Sequence, residues 1–169
     1  MRLTITTILC SCALVALAVT GASAQTSYTL SGTCKPDILR SIPAGDQPGH
    51  AFGISHGTCS DKETVGGATS TSAQYSEKDD VTPTRTKGSG IFTVTYNTGD
   101  KIFYKYKLSL NTKGGVVQSG KGEFKANGGT GKLKGITAKG TCTFSAGATA
   151  GTNNYSCSGQ YTLAGAMSH

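Results

Sequence analysis

Short stretches rich in threonine, tyrosine, valine and phenylalanine recur along this chain, and glycine-containing turns separate them. β-branched and aromatic residues favour extended backbone, and runs of strong helix formers are missing after the first 24 residues. The pattern predicts an all-β sandwich or barrel. The predicted strands are 27–34, 51–59, 90–96, 101–110, 116–126, 132–137, 139–145 and 154–163.

The segment 60–87 has a weaker pattern than the rest of the chain. It predicts one strand near 68–75, followed by a polar loop. The loop would carry Glu77, Asp79, Asp80 and Pro83.

The first 24 residues have the pattern of a secretory leader. Arg2 precedes an uncharged, largely apolar run over 3–20, and Ala22-Ser23-Ala24 forms a small-residue cleavage site. The run is shorter than the roughly 20 residues that span a bilayer, and no other segment is apolar enough to cross one. We therefore predict a signal peptide over 1–24, cleaved near Ala24. One domain over 25–169 would then be secreted or periplasmic, and not membrane-spanning.

One β-hairpin can be placed in register from its apolar faces. Side chains alternate between the two faces of a strand, so the apolar faces meet if Tyr96 lies opposite Ile102 and Val94 opposite Tyr104. This predicts a three-residue loop, Thr98-Gly99-Asp100, with its glycine at positive φ.

A second hairpin bears on the cysteines. A four-residue loop over 148–151 would place Phe144 opposite Tyr155 and Cys142 opposite Cys157. Directly opposed residues in antiparallel strands lie about 4.5–5.5 Å apart, which is within reach of a disulfide. The register therefore predicts a Cys142–Cys157 bond.

Two cysteines remain in the mature chain, Cys34 and Cys59. An even number of cysteines in an oxidising compartment indicates disulfides, so these two pair by elimination and join the first two strands. The absence of a C-x-x-C motif argues against a redox-active pair.

The glycine-rich stretch from Gly128 to Thr141 superficially matches a phosphate-binding loop. That loop requires G-x-x-x-x-G-K-[ST], yet Leu133 follows Lys132 and Ala126 stands at the first glycine position. No βαβ pattern surrounds the stretch, so a dinucleotide-binding motif fails as well. We predict a strand–turn–strand segment, and no cofactor.

The same stretch, G-G-T-G-K-L-K-G-I-T-A-K-G-T, follows an upstream G-D-K turn at Gly99-Asp100-Lys101. Together they resemble a family of uncharacterised small secreted bacterial proteins with a G-G-T-G-K-x-K-G-I-x-G-x-G-T-Y motif. The resemblance covers about 42–161. The chain differs from the motif at Ala138, where glycine is usual, and at Cys142, where tyrosine is usual.

More distantly, the glycine pattern resembles the late hairpin of allene oxide cyclase and dirigent proteins. This resemblance implies a single antiparallel β-barrel of about eight strands, similar in shape to lipocalins. Only structural glycines match, so the resemblance transfers no catalytic residue.

Candidate catalytic and metal-binding residues are few. His50 and His56 share one side of a strand but lie about 20 Å apart, too far to bind one metal ion. Asp100 fits a turn, and Glu123 fits a solvated row of alternating charges between two lysines. No G-x-S-x-G motif occurs. We therefore predict no metal site, no catalytic residue, and a non-enzymatic role.

The chain is basic, with a formal net charge of +7 to which the leader contributes only Arg2. Nine lysines and one acidic residue lie in 101–139. Outward lysines keep strands soluble and discourage edge pairing, and they can also bind an acidic polymer or membrane surface. No aromatic stacking platform accompanies them, which argues against specific nucleic-acid binding. The predicted basic patch comprises Lys105, Lys107, Lys121 and Lys125.

The predicted interior is aromatic. A barrel of eight strands is either filled by side chains or holds one small ligand. The sequence thus predicts a secreted barrel that binds a small apolar ligand or adheres to acidic surfaces, with a cofactor-free isomerase acting in the cavity as the alternative. The predicted cavity-lining residues are Phe92, Tyr96, Tyr104, Tyr106, Phe144, Tyr155 and Tyr161.

Overall fold

The structure is a computed structural model and describes residues 25–165. The predicted signal peptide and His169 lie outside this range. The described part is almost entirely β-structure, with one 3-10 helix at Gly131–Leu133. No helix within 25–165 is long and apolar enough to span a membrane. The strands are β1 Thr26–Pro43, β2 Ala51–Lys62, β3 Thr64–Val65, β4 Ala68–Thr82, β5 Arg85–Tyr96, β6 Lys101–Lys113, β7 Val116–Gly129, β8 Thr137–Ala146 and β9 Asn153–Thr162.

Eight of these strands close into an antiparallel barrel, which confirms the predicted fold class. The hydrogen-bonded order is β2-β1-β9-β8-β7-β6-β5-β4, and pairing of β2 with β4 completes the circle. The short β3 pairs only with the start of β4. Closure leaves the first and last long strands side by side, because β1 pairs with β9 from Thr26 to Cys34.

Alternating side chains of these strands form the core. Val94, Ile102, Tyr96 and Tyr104 are almost completely buried. Phe124 lies over Gly140 of β8, where an added Cβ atom would come within 2.6 Å of the phenylalanine ring. The glycine therefore makes room for a large inward ring.

Beyond Cys34, β1 leaves β9 and continues with β2 as a hairpin. A β-bulge between Pro36 and Ile38 marks this departure. The extension exposes apolar side chains on both of its strands: Ile38, Leu39, Ile42, Phe52 and Ile54.

Two strand predictions are wrong. Residues 132–136 form a turn, because Gly131 and Gly135 take positive φ values of 51° and 77°, and β8 begins only at Thr137. The predicted polar loop after residue 75 is instead the second half of β4. Its carboxyl side chains alternate inward with Tyr75 and Val81, so the segment keeps the period of a strand despite its polarity.

The β5–β6 hairpin has a three-residue loop with Gly99 at φ 81°, as predicted, but the register differs by two residues. Val94 pairs with Ile102, and the Tyr96 amide donates to the Asp100 carbonyl at 2.9 Å. The loop is therefore 97–99, with glycine last, which suits the left-handed position of such loops. A shift of two residues keeps the same faces together.

Candidate functional site

A cavity of about 120 Å³ occupies the barrel interior toward the β6–β7 turn, and we call it the lumen pocket. Its walls are mainly aromatic and aliphatic. Side chains of Leu108, Leu110 and Phe144 are half-buried at this end. Further lining residues include Leu30, Tyr75, Glu77, Phe92, Tyr104, Tyr106, Val117, Phe124, Asn153 and Tyr155.

Five of the seven predicted cavity residues line the lumen pocket: Phe92, Tyr104, Tyr106, Phe144 and Tyr155. The other two lie elsewhere in the core. Tyr96 is 1% exposed, and the Tyr161 hydroxyl accepts a hydrogen bond from the Gly66 amide at 3.1 Å.

The barrel interior also contains four carboxyl groups, whose inward position was not predicted from the sequence. They form two pairs of residues two positions apart. Asp61 lies near the end of β2 with Glu63 just after it, and Glu77 and Asp79 lie in β4. Each pair flanks an exposed lysine, so the motifs read D-K-E and E-K-D. Residues two apart share one face of a strand, and this spacing is the signal that could have revealed them.

Glu77 and Asp79 converge above β5. They lie opposite Gly90 and Gly88, which have no side chains to fill the space. Glu77 Oε2 and Asp79 Oδ1 lie 2.7 and 2.9 Å from the point where a Cβ of Gly88 would stand. The two carboxyl groups therefore meet over one glycine.

Burial, followed by the charge of Asp79, raises the pKa of Glu77 to about 8. The pKa of Asp79 is also raised, chiefly by burial, although Ser55 donates to its Oδ2 at 3.3 Å. Two like charges this close cannot both ionise readily, so the pair holds one proton at neutral pH.

The second pair accepts hydrogen bonds from two tyrosines that line the lumen pocket. Tyr155 donates to Asp61 Oδ1, and Tyr104 donates to Glu63 Oε1 at 3.2 Å. Glu63 is only 4% exposed, and burial together with the charge of Asp61 raises its pKa to about 8. Burial raises the pKa of Tyr104 and Tyr155 as well. Their hydroxyl groups stay protonated and donate.

The predicted basic patch lies on the outer wall, and its four lysines are exposed. Lys105 is directly opposite Lys125, and Lys125 is opposite Lys139 on the next strand. Lys107 faces Glu123, and Lys121 faces Ser109. The structure thus contains a row of three lysines across β6, β7 and β8, and the third was not in the predicted patch.

The histidines point away from the lumen. His50 Nδ1 lies 2.5 Å from Asp46 Oδ1, and its Nε2 lies 3.0 Å from Asp80 Oδ1. His56 Nδ1 contacts the Ser76 hydroxyl at 3.0 Å. Within 25–165, no three His, Cys, Asp or Glu side chains are grouped as metal ligands.

Both disulfides are present in the structure. Cys142–Cys157 joins β8 to β9, with Phe144 opposite Tyr155 as the predicted register requires. Cys34–Cys59 joins β1 to β2. Such bonds fit an extracellular or periplasmic protein.

Comparison with known proteins identifies distant structural neighbours only. No protein-family model and no curated protein sequence matches the chain. A pyocyanin demethylase is 19% identical, with a TM-score of 0.40, covering 79% of this chain and 99% of that chain. The pterocarpan synthase dirigent protein PsPTS1 is 10% identical, with a TM-score of 0.43, covering 83% and 94%.

A conserved protein of unknown function from Rhodopseudomonas palustris is likewise 10% identical, with a TM-score of 0.43, covering 83% of this chain and 99% of that chain. At these identities and scores, the three similarities assign neither a ligand nor a reaction to this chain.

Proposed function

We propose that this chain is a secreted barrel that binds one small, largely apolar molecule in the lumen pocket. The supporting observation is the pocket itself, about 120 Å³ enclosed mainly by aromatic and aliphatic side chains. A cavity of about 150 Å³ can hold benzene, and this pocket is somewhat smaller, so its volume limits the ligand to about one ring. Concave, mostly apolar sites with few polar groups are typical of small-molecule binding.

Native mass spectrometry of the purified protein, followed by titration with single-ring compounds, tests this proposal. Val117 lines the pocket and is 6% exposed, whereas its neighbour Val116 is 53% exposed. Val117→Phe should fill the pocket and abolish binding, while Val116→Phe should leave binding unchanged. Circular dichroism checks that both variants fold. Equal binding by both variants, or no binding of any compound to the wild type, would contradict the proposal.

The secretion part of the proposal rests on the two disulfides and the leader pattern. Both cysteine pairs are bonded, which fits an oxidising compartment. N-terminal sequencing of the exported protein should begin at or near Gln25. A mature protein that retains the leader would contradict cleavage near Ala24.

An isomerase acting in the same pocket is the alternative. The Glu77 carboxyl, whose pKa is about 8, lines the pocket and could exchange a proton with a bound molecule. An isomerase of this kind would incorporate deuterium from heavy water into a co-purified ligand. A ligand that gains no mass during long incubation indicates binding alone.

The lysine row supports a separate role in adhesion to acidic polymers. Lys105, Lys125 and Lys139 are exposed and adjacent, and ion pairs detected within 25–165 involve only His50. Like charges directly opposite each other are unfavourable unless an anion neutralises them. Compared with the wild type, Lys125→Glu should be retained less on a polyanionic resin. Lys35→Glu should be retained as before, because Lys35 is exposed but lies outside the row. Equal retention of both variants excludes this surface.

A further inference from the structure

The interior of the barrel contains acidic groups without any basic partner. Every lysine and arginine within 25–165 is exposed, whereas Glu63 and Asp79 are at least nine-tenths buried. Burying a carboxylate is costly unless a cation or hydrogen bonds compensate it. In the protein alone, protonation limits this cost, because no lysine or arginine within 25–165 reaches these carboxyl groups.

The Glu77–Asp79 pair is the part of this acidic interior that reaches the lumen pocket. Glu77 lines the pocket directly. Asp79 is only 9% exposed. Glu77 Oε2 and Asp79 Oδ1 are both buried, and no other residue donates a hydrogen bond to either oxygen. These two oxygens are the atoms that converge over Gly88.

The pocket lining contains one basic residue, Lys107, which is exposed and lies opposite Glu123. The other groups around Glu77 supply no positive charge. Asp79 and Tyr75 lie on the same strand, and Tyr106 of β6 hydrogen-bonds to Glu77. The opposing residues of β5 are glycines, and the opposing residue of β2 is Ser55. Asp37 of β1, which acts on Tyr75, is also acidic.

We propose that the lumen pocket recognises a small organic cation, in which an ammonium group binds the Glu77–Asp79 pair and an attached ring packs among the aromatic side chains. This inference rests on the binding function proposed above and specifies the charge of the ligand. The faces of Tyr75, Phe92 and Tyr106 are suited to a cation, because aromatic rings attract positive charge through their quadrupole.

Binding of the cation would displace the proton held by the carboxyl pair. The ammonium group arrives protonated and stays so, while the Glu77 carboxyl loses its proton to solvent. An opposite charge within about 4–6 Å favours the ionised form of a carboxyl group. Proton release is thus a signature that a neutral ligand does not produce.

Benzylamine and its neutral isostere benzyl alcohol are suitable probes, compared by isothermal titration calorimetry at about pH 7 in two buffers of different ionisation enthalpy. We expect benzylamine to bind at least about tenfold more tightly than benzyl alcohol, because a charge-assisted hydrogen bond contributes at least that difference in affinity. Binding of benzylamine should also release a substantial fraction of one proton. Benzyl alcohol should release none.

Glu77→Gln keeps the shape of the side chain and removes its proton exchange. It should reduce the preference for benzylamine and eliminate proton release, while Asp46→Asn in the exposed loop after β1 should change neither. If Glu77→Gln does not fold, proton release by the wild type, measured from about pH 6 to 9, still tests the inference. The number of protons released should decline with rising pH, because Glu77 is then already ionised before the ligand binds.

The outcomes separate this inference from the proposed function. Binding of benzyl alcohol as tight as that of benzylamine, or benzylamine binding without proton release, overturns the cation inference and leaves the binding barrel intact. Failure of both probes, together with the absence of any co-purified molecule, overturns both.

Discussion

Replacing Glu63 by glutamine should alter how the stability of the barrel depends on pH. The carboxyl group has a pKa of 4.5 in the unfolded chain and about 8 in the folded barrel. Over the pH range between these values it is protonated when folded and ionised when unfolded, so unfolding releases a proton. Its contribution to stability is therefore greatest below about pH 4.5, and is lost as the pH rises to about 8.

The size of the effect follows from those two values. Each pH unit between them costs about 1.4 kcal/mol, so the wild type should lose about 3 kcal/mol through Glu63 between about pH 4.5 and pH 7. Glutamine is neutral throughout and still accepts a hydrogen bond from Tyr104. Glu63→Gln should therefore match the wild type near pH 4.5 and exceed its stability by about 3 kcal/mol near pH 7.

Urea unfolding followed by circular dichroism across this pH range measures the free energy of unfolding of both proteins. Their difference isolates Glu63, because both retain the other three interior carboxyl groups. Glu123→Gln serves as the control, since Glu123 is exposed on the outer wall. Parallel stability curves for the wild type and Glu63→Gln would refute the assignment of a buried, protonated carboxyl group.

Three further outcomes follow from other contacts. Replacing Cys142 and Cys157 by serine should lower the free energy of unfolding by about 3 kcal/mol, the value for a disulfide that closes a loop of about 15 residues. A loss below about 1 kcal/mol in urea titration would contradict this expectation. Gly140→Ala should lower the melting temperature markedly, because the new Cβ would lie 2.2 Å from the Ser158 carbonyl oxygen, and an unchanged temperature would show that the strands can separate there. His50→Gln should flatten the pH dependence of the melting temperature above about pH 6.5. The hydrogen bond to Asp46 raises the pKa of His50, so the stabilisation is lost as the histidine deprotonates. Identical melting profiles of variant and wild type from about pH 6 to 9 would exclude this role of His50.

The barrel and its hairpins were largely predictable because they depend on alternation and on glycine. Inward tyrosines alternate with outward lysines in β6. A closed antiparallel sheet buries the inward face of such strands and pairs both of their edges. The Cys142–Cys157 register follows from the same alternation. The loop at Gly99 was placed one residue too late, because apolar faces fix the parity of a register and not its absolute position.

The interior carboxyl groups were not predictable from polarity. The segment with Glu77 and Asp79 was predicted as a solvated loop, because charged side chains are rarely buried. Their burial depends on partners distant in sequence, such as Tyr106 and Ser55, and on protonation that removes the charge. A sequence gives the alternating spacing of these acids, but the hydroxyl groups that face them are defined only when the barrel closes.

The pairing of β1 with β9 has a consequence for how the chain reaches this structure. The other barrel contacts join strands that are near in sequence, whereas Thr33 of β1 bonds Asn154 of β9 across 121 residues. Contacts between such distant segments form slowly, because a long loop must be ordered before they contribute. Each disulfide lies beside this seam and joins strands that are neighbours in the sheet, so both can form before the two ends of the chain meet. The last step of folding would therefore be the arrival of β9 at β1, and until then the acidic interior remains open to water.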